Sequence, residues 1–303
     1  MHAPTAAVAG QLARDLVLSV DAAPGAGEAA DASARREQLG GKGANQAVGL
    51  AQLGVRPQLI AVAGDDVIGD VLLDQARRDG IGVGAVVRRP GTLTGLIVEV
   101  LDGDGTWRYV QHLPEPVLLT EDDVLRAHDV IAGADAVLVQ LQQPPAAVLA
   151  AARIGHDAGG LVVLDGVPDE DTRDELLGHA GVLRADEQEA DLLCGGEPTV
   201  ERARELLGKG PKLLALGVEG GNLFVWEDGH VRLPLTKEDV MDTTGGGDAF
   251  TAALTAALLS GKDYDYAARW AVAASGATVG HPGGRPTLTV AEIEQRAGAI
   301  TRG

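Results

Sequence analysis

The sequence predicts an α/β fold, a mostly parallel sheet covered by helices on both faces with a small separate sheet beside it. Three observations predict it. Short apolar runs alternate with amphipathic stretches along much of the chain, the pattern of βαβ units. Two regions break that rhythm and read as strands with little helix between them. The C-terminal region then changes to three Ala-rich helical stretches.

Residues 8–12, 58–63, 136–141, 161–165 and 212–217 are short, apolar and bounded by Gly, Pro or Asp, so each reads as a buried strand. Between them, residues 44–53, 68–79, 146–156, 186–193 and 200–207 carry helical periodicity. Right-handed crossovers then leave few topologies. Residues 15–20 with 33–39, and 86–112, read as strands. Within the second, 94–101 and 107–111 flank Asp102-Gly103-Asp104-Gly105, a strong hairpin signal. These pieces predict one small sheet, from about residues 13–39 and 85–112, placed as a lid over a ligand. An ordinary edge hairpin is the alternative. Residues 248–259, 264–279 and 290–299 are the three C-terminal helices. Neither a repeat of fixed period nor a linker long enough to separate a pair of domains is present, so residues 1–303 read as a single domain.

The composition narrows the function. Acidic residues outnumber basic ones 44 to 25, a formal net charge of −19, which supplies no basic face for nucleic acid. One cysteine, Cys194, excludes an internal disulfide and a cysteine-rich zinc cage. The seven histidines never fall at ligand spacing. No apolar run approaches the roughly 18 residues of a membrane span, and the N-terminus lacks the charged start of a signal peptide. The expectation is a soluble cytoplasmic protein.

Four stretches could carry chemistry. Gly40-Gly41-Lys42-Gly43-Ala44-Asn45 opens a helix: its glycines let backbone approach a ligand, Lys42 adds charge, and Asn45 can donate or accept. It lacks the Ser or Thr a Walker loop needs after the lysine, and a structural turn is the other reading. Asp242-Thr243-Thr244-Gly245-Gly246-Gly247-Asp248 also precedes an apolar helix. Consecutive glycine N–H groups at a helix start make an anion site. Asp248 beside them suits a base that takes a proton from an attacking hydroxyl. A plain helix cap needs only one Gly and one Asp. In Asp186-Glu187-Gln188-Glu189, Asp186 and Glu189 share a helical face and could hold water around Mg²⁺; an acidic first turn favoured by the helix dipole is the alternative. Gly217 and Gly220 follow a strand and either meet phosphate oxygens or make a turn.

Together and in this order, these stretches resemble the ribokinase-like sugar kinases, the phosphofructokinase-B family, from about Val8 to Thr287. Gly40 to Ala47 looks like the early signature, Ala63-Gly64-Asp65-Asp66-Val67-Ile68-Gly69 like a second conserved stretch, and Asp242 to Asp248 like the late signature. The resemblance implies a three-layer sandwich and transfer of the γ-phosphoryl of ATP to an alcohol of a sugar or nucleoside. It implies Asp248 as base, with Gly245, Gly246 and Gly247 as anion hole. Asp15, Gly41, Lys42, Asn45 and Gln142 would face the small polyhydroxy substrate. Asp186, Gly217 and Gly220 would approach ATP, and Glu189 would act on Mg²⁺ through water. Asp242, Thr244 and Gly283 correspond to a monovalent-cation (K⁺) site, and a homodimer through the lid sheets is expected.

The departures from the family pattern point away from plain ribose. Ala13-Arg14-Asp15 stands where Asn-x-Asp is usual, Gln142 where a sugar-binding glutamate is usual, Asp186 for Asn, and Gly246 for Ala. A site built for a hydroxyl rejects analogues lacking it, so Ala13 and Gln142 predict a larger acceptor such as a hexose derivative or nucleoside. A nucleoside kinase, or a non-catalytic pseudokinase that senses sugar or nucleotide, are the alternatives.

Overall fold

The computed structural model describes residues 3–236, 244–281 and 285–301. The chain begins with β1 (Thr5–Ala9), β2 (Ala13–Ser19), β3 (Ala34–Gly40), α1 (Lys42–Gln52), β4 (Arg56–Ile60), β5 (Val62–Gly64) and α2 (Val67–Arg78). Its middle holds β6 (Val87–Arg89), β7 (Gly95–Leu101), β8 (Trp107–His112), α3 (Glu121–Arg126), α4 (His128–Ala132), β9 (Ala136–Gln140), α5 (Pro145–Asp157), β10 (Leu161–Asp165), α6 (Arg173–His179) and β11 (Val182–Ala185). Next come α7 (Glu187–Cys194), α8 (Val200–Leu207), β12 (Leu213–Val218), β13 (Gly221–Trp226) and β14 (Gly229–Pro234). Last are α9 (Gly246–Leu259), α10 (Tyr264–Val279) and α11 (Val290–Ala299).

Eight of these strands form the central sheet in the order β14-β13-β12-β11-β10-β9-β1-β4. Pairing is parallel from β4 through β12, and antiparallel only for β13 and β14. Alternate residues of the parallel strands enter two separate cores. Ala6, Val8 and Leu138 join the core under α1, α9 and α10; Ala7, Ala9, Val137 and Val139 join the one under α5. A sheet apolar on both faces is what helices on both sides require, and three layers result. Among the described residues no helix is long and apolar enough to cross a membrane.

Several boundaries differ from the sequence expectation for physical reasons. The first strand ends at Ala9 because Gly10 meets Gly43 at the start of α1: a Cβ on Gly43 would lie 2.7 Å from the Gly10 carbonyl carbon. The 58–63 run splits, since its second half pairs with β6 in a separate two-stranded sheet. Residues 87–89 therefore lie outside the small sheet, which is four-stranded in the order β3-β2-β7-β8. The Asp102–Gly105 turn joins β7 to β8 as an antiparallel hairpin.

Candidate active site

The C-terminal ends of β1, β9, β10 and β11 converge beneath one face of the four-stranded sheet, the usual ligand position in an open α/β sheet. A cleft of about 770 Å³ lies there, and its walls include Asp15, Lys42, Asn45, Tyr109, Glu189 and Asp248. Close helix packing places the last of these. Gly49 of α1 leaves room for Ala252 of α9, with a Cβ there only 2.7 Å from the Ala252 methyl. That contact sets Asn45 and Gln46 beside the first turn of α9.

Helix α9 starts at Gly246 after Gly245, whose φ of 74° is the left-handed conformation, and no side chain caps it. Its first N–H groups therefore have no intrahelical acceptor, and the N-cap glycine offers none from a side chain. Glycine at 246 has a local cause: a Cβ would lie 2.7 Å from Cγ1 of Val279. Asp248, in the first turn, is 7% exposed. Its Oδ2 accepts from Asn45 Nδ2 at 3.1 Å and its Oδ1 from Gln46 Nε2 at 3.4 Å. Burial first, then the charge of Asp165, push its pKa up to about 6, against the opposing pull of Lys42, Asn45 and Arg184.

Asp15 sits on β2 over the cleft and is 5% exposed. Gly40 makes room for its carboxylate, which lies 1.9 Å from where a Gly40 Cβ would stand. Its Oδ1 is buried without a hydrogen-bond partner, an oxygen left for a ligand. Burial and then Glu99 push its pKa up to about 7, while Arg285 and the Gly41 N–H act against that rise. Both carboxyls bind protons more tightly in the folded chain than in the unfolded one. Stability is therefore lost as pH rises through about 6 to 7. The melting temperature of the protein should fall between pH 5.5 and pH 8, and Asp15→Asn with Asp248→Asn should flatten that slope. An unchanged slope in the double variant would remove this account.

The remaining expected site residues are placed as follows. Lys42, Gly41, Gly245 and Thr244 line the cleft; Thr244 Oγ1 donates to Glu99 Oε1 at 3.1 Å. Asn45 lines the cleft and is engaged with Asp248. Gln142 lines the cleft and its Oε1 accepts from Gln140 Nε2 at 3.0 Å. Asp186 and Glu189 form a reciprocal capping box at the start of α7, each side chain accepting from the other's N–H at 2.9 Å. Both still line the cleft, so the cap and the site share these residues. Gly217 and Gly220 do not line it. Gly217 packs on α7, where a Cβ would come within 2.5 Å of the Glu187 nitrogen, and Gly220 turns β12 into β13 at φ 70°. Asp242 and Gly283 lie outside the described residues. Ala13 is fully buried and does not itself line the cleft, on the same face of β2 as Asp15.

Sequence reasoning missed Gln46, Glu99, Asp165, Arg184 and the Trp107–Tyr109 pair. The last stacks at 5.4 Å between centroids and walls the cleft from β8. A signal existed for two of them: Glu99 and Arg184 are charges inside otherwise apolar strands.

The donor set suits Mg²⁺. Asp186 and Glu189 offer hard carboxylate oxygens at the cleft, each with one oxygen outside the capping box. Among the described residues no three such ligands gather, which fits a largely hydrated ion completed by phosphate oxygens. Burial pushes the Glu189 carboxyl up, with Lys42 and Arg184 among the groups opposing it. Glu189→Gln keeps the backbone contact and removes the charge. It should raise the Mg²⁺ needed for half-maximal turnover about tenfold, the scale of outer-sphere changes. An unaltered Mg²⁺ dependence would leave Glu189 as a helix cap alone.

Comparison with known proteins shows the family and the fold. The model of the pfkB family carbohydrate kinases matches residues 4–290. The chain is 31% identical to a ribokinase of Bacillus subtilis over 292 residues, 95% of this chain and 97% of the relative. It superposes on the structure of Arabidopsis thaliana ribokinase complexed with ribose and ATP with a TM-score of 0.80 and 26% identity, covering 98% and 99% of the two chains. Thermotoga maritima ribokinase matches with a TM-score of 0.79 and 25% identity, over 97% and 99%.

Proposed function

The chain belongs to the pfkB family of carbohydrate kinases, phosphotransferases with an alcohol acceptor, and we propose that Asp248 is the base of its ATP-dependent sugar phosphorylation. The observation that carries this is the buried Asp248 carboxylate beside the uncapped N–H groups of the glycine turn. Phosphoryl transfer is mostly positioning and neutralisation of spread charge, and this turn supplies both.

Asp15, itself held by the N–H of Gly41, grips the acceptor so that one hydroxyl meets Asp248. The proton passes from that hydroxyl to the Asp248 carboxylate while its oxygen forms a bond to the γ-phosphorus of ATP. The bond from that phosphorus to the β–γ bridging oxygen breaks, and ADP leaves. Lys42 and the N–H groups of Gly245, Gly246 and Gly247 meet the charge on the moving phosphoryl oxygens. Glu189 and Asp186 would hold hydrated Mg²⁺, which neutralises phosphate charge when bound. Because the base must be ionised, the rate falls as pH drops through about 6.

The acceptor we propose is a polyhydroxy sugar or a nucleoside with a flat face for Tyr109 and Trp107, whose stacked rings favour it. An apolar row of Leu16, Val98 and Val110, with Val110 74% exposed, crosses the outward face of the small sheet. That row supports a homodimer through the lid sheets. A screen of ADP release over pentoses, hexoses, ketoses and nucleosides tests the function. Turnover of one class assigns the acceptor; ATP binding with no turnover on any of them makes the protein a sensor instead.

A further inference from the structure

We propose that the buried Asp165–Arg184 ion pair is a positioning device for the base, acting on Asp248 through the side-chain amide of Gln46 and through the glycine turn. The proposal rests on Asp248 being the base. Arg184, on β11, donates from Nη1 to Oδ1 of Asp165, at the end of β10, at 3.0 Å. Their side chains are 14% and 2% exposed. The other Asp165 oxygen, Oδ2, accepts from Gln46 Nε2 at 2.6 Å. The same Nε2 faces Asp248 Oδ1 at 3.4 Å. One amide nitrogen with two hydrogens thus bridges two carboxylates, held short to Asp165 and long to the base. Two acceptors on that side fix which end of the amide points at Asp248.

Arg184 also reaches beneath the glycine turn. Its Nη2 lies 2.8 Å from where a Gly247 Cβ would begin, and its guanidinium carbon stands 5.8 Å from the centre of the Phe250 ring. Glycine at 247 is therefore required by the guanidinium, which Asp165 prevents from swinging aside. A buried ion pair is weak support for stability, because desolvation offsets its attraction. Its position next to an acid that must ionise gives it a different use.

The charged groups facing Asp248 come from several elements: Lys42 from α1, Asp15 from β2, Asp165, Arg184, and Arg285 ahead of α11. Lys42 and Asp15 line the cleft, whereas Asp165 and Arg184 do not. Asp165 pushes the base toward its protonated form and Arg184 draws it back. Asp165 is the stronger influence and Arg184 offsets part of it, so the amide of Gln46 is anchored by a carboxylate whose repulsion of the ionised base is blunted by its own partner.

The test is the pH profile of kcat at saturating MgATP, with the sugar or nucleoside that the panel turns over fastest. Arg184→Gln should move the acid limb up, Asp165→Asn should move it down, each by about half a pH unit or more for a charge this close. The double variant should fall between the two single variants, since removing Arg184 offsets part of what removing Asp165 does. Loss of packing alone would move neither limb, or both in one direction, and either result overturns the proposal. If Arg184→Gln leaves Asp165 uncompensated and does not fold, Asp165→Asn against the double variant makes the same comparison. Asp248→Asn is the control. Near wild-type kcat in that variant overturns the base and the pair together; a disabled Asp248→Asn with fixed limbs in the pair variants overturns the pair alone.

Discussion

Asp248→Asn should lose at least about a hundredfold in kcat while MgATP binding is kept, within the roughly 10²–10⁴ a general base contributes. Asparagine preserves the shape: its oxygen can accept from Gln46 Nε2 and its NH2 can donate to Asn45 once that amide turns its oxygen inward, so the change removes basicity and little else. The folded site raises the acid to about 6, which leaves it mostly ionised at pH 7.5 yet a better proton acceptor than an ordinary aspartate. The same substitution relieves a buried charge, so above pH 6 the variant should melt higher than the parent. Lower activity with higher stability separates a lost base from a damaged fold. An Asn variant within about threefold of the parent would contradict the usual worth of such a base and remove the assignment.

The glycine-rich helix starts were legible because their chemistry is local. Gly41, Lys42, Gly245 and Asp248 lie within short stretches whose glycines and charges mark a ligand, and the structure brings these four to one cleft. The Asp165–Gln46–Arg184 arrangement was not legible. Its members sit on β10, α1 and β11, and only the parallel order of the sheet makes them neighbours. Arg184 also hid its own strand: a charge within Val182–Ala185 interrupts the apolar run by which buried strands are recognised. β13 and β14 escaped for a related reason, since exposed residues alternate along β14 and the pair adds on antiparallel to a βαβ pattern.

Two motifs show why pattern alone leaves alternatives. Asp186 and Glu189 fit a helix cap and a cation site equally well in sequence, and in three dimensions they serve as the cap while facing the cleft. Ala13 is a different case. It lies on the same face of β2 as Asp15, two residues away, and is enclosed beside Gly95, whose own Cβ would lie 3.5 Å from it. Strand periodicity alone gives that shared face, whereas the neighbours that enclose the methyl come from β7, distant in sequence.

Asp15→Ala should lower kcat/KM for the acceptor about 10- to 150-fold, the 1.5–3 kcal/mol of a hydrogen bond to a charged group. The KM for ATP should stay nearly unchanged. The carboxylate lies over the cleft, with one oxygen unpartnered among the described residues. A sugar hydroxyl donating to that oxygen binds the ionised form better. With its pKa near 7, acceptor kcat/KM should therefore rise with pH across that range in the parent enzyme. The Ala variant should lose this step while keeping the lower one that belongs to Asp248. Asp15→Asn, which can still accept from the Gly41 N–H, should lose less than Ala and also lose the step. A structural role would instead lower kcat and ATP affinity together and leave the pH step in place. Equal losses toward ATP and acceptor in Asp15→Ala would place Asp15 in the scaffold of the lid, and the acceptor would then have to be held from Lys42 and Gln142 instead.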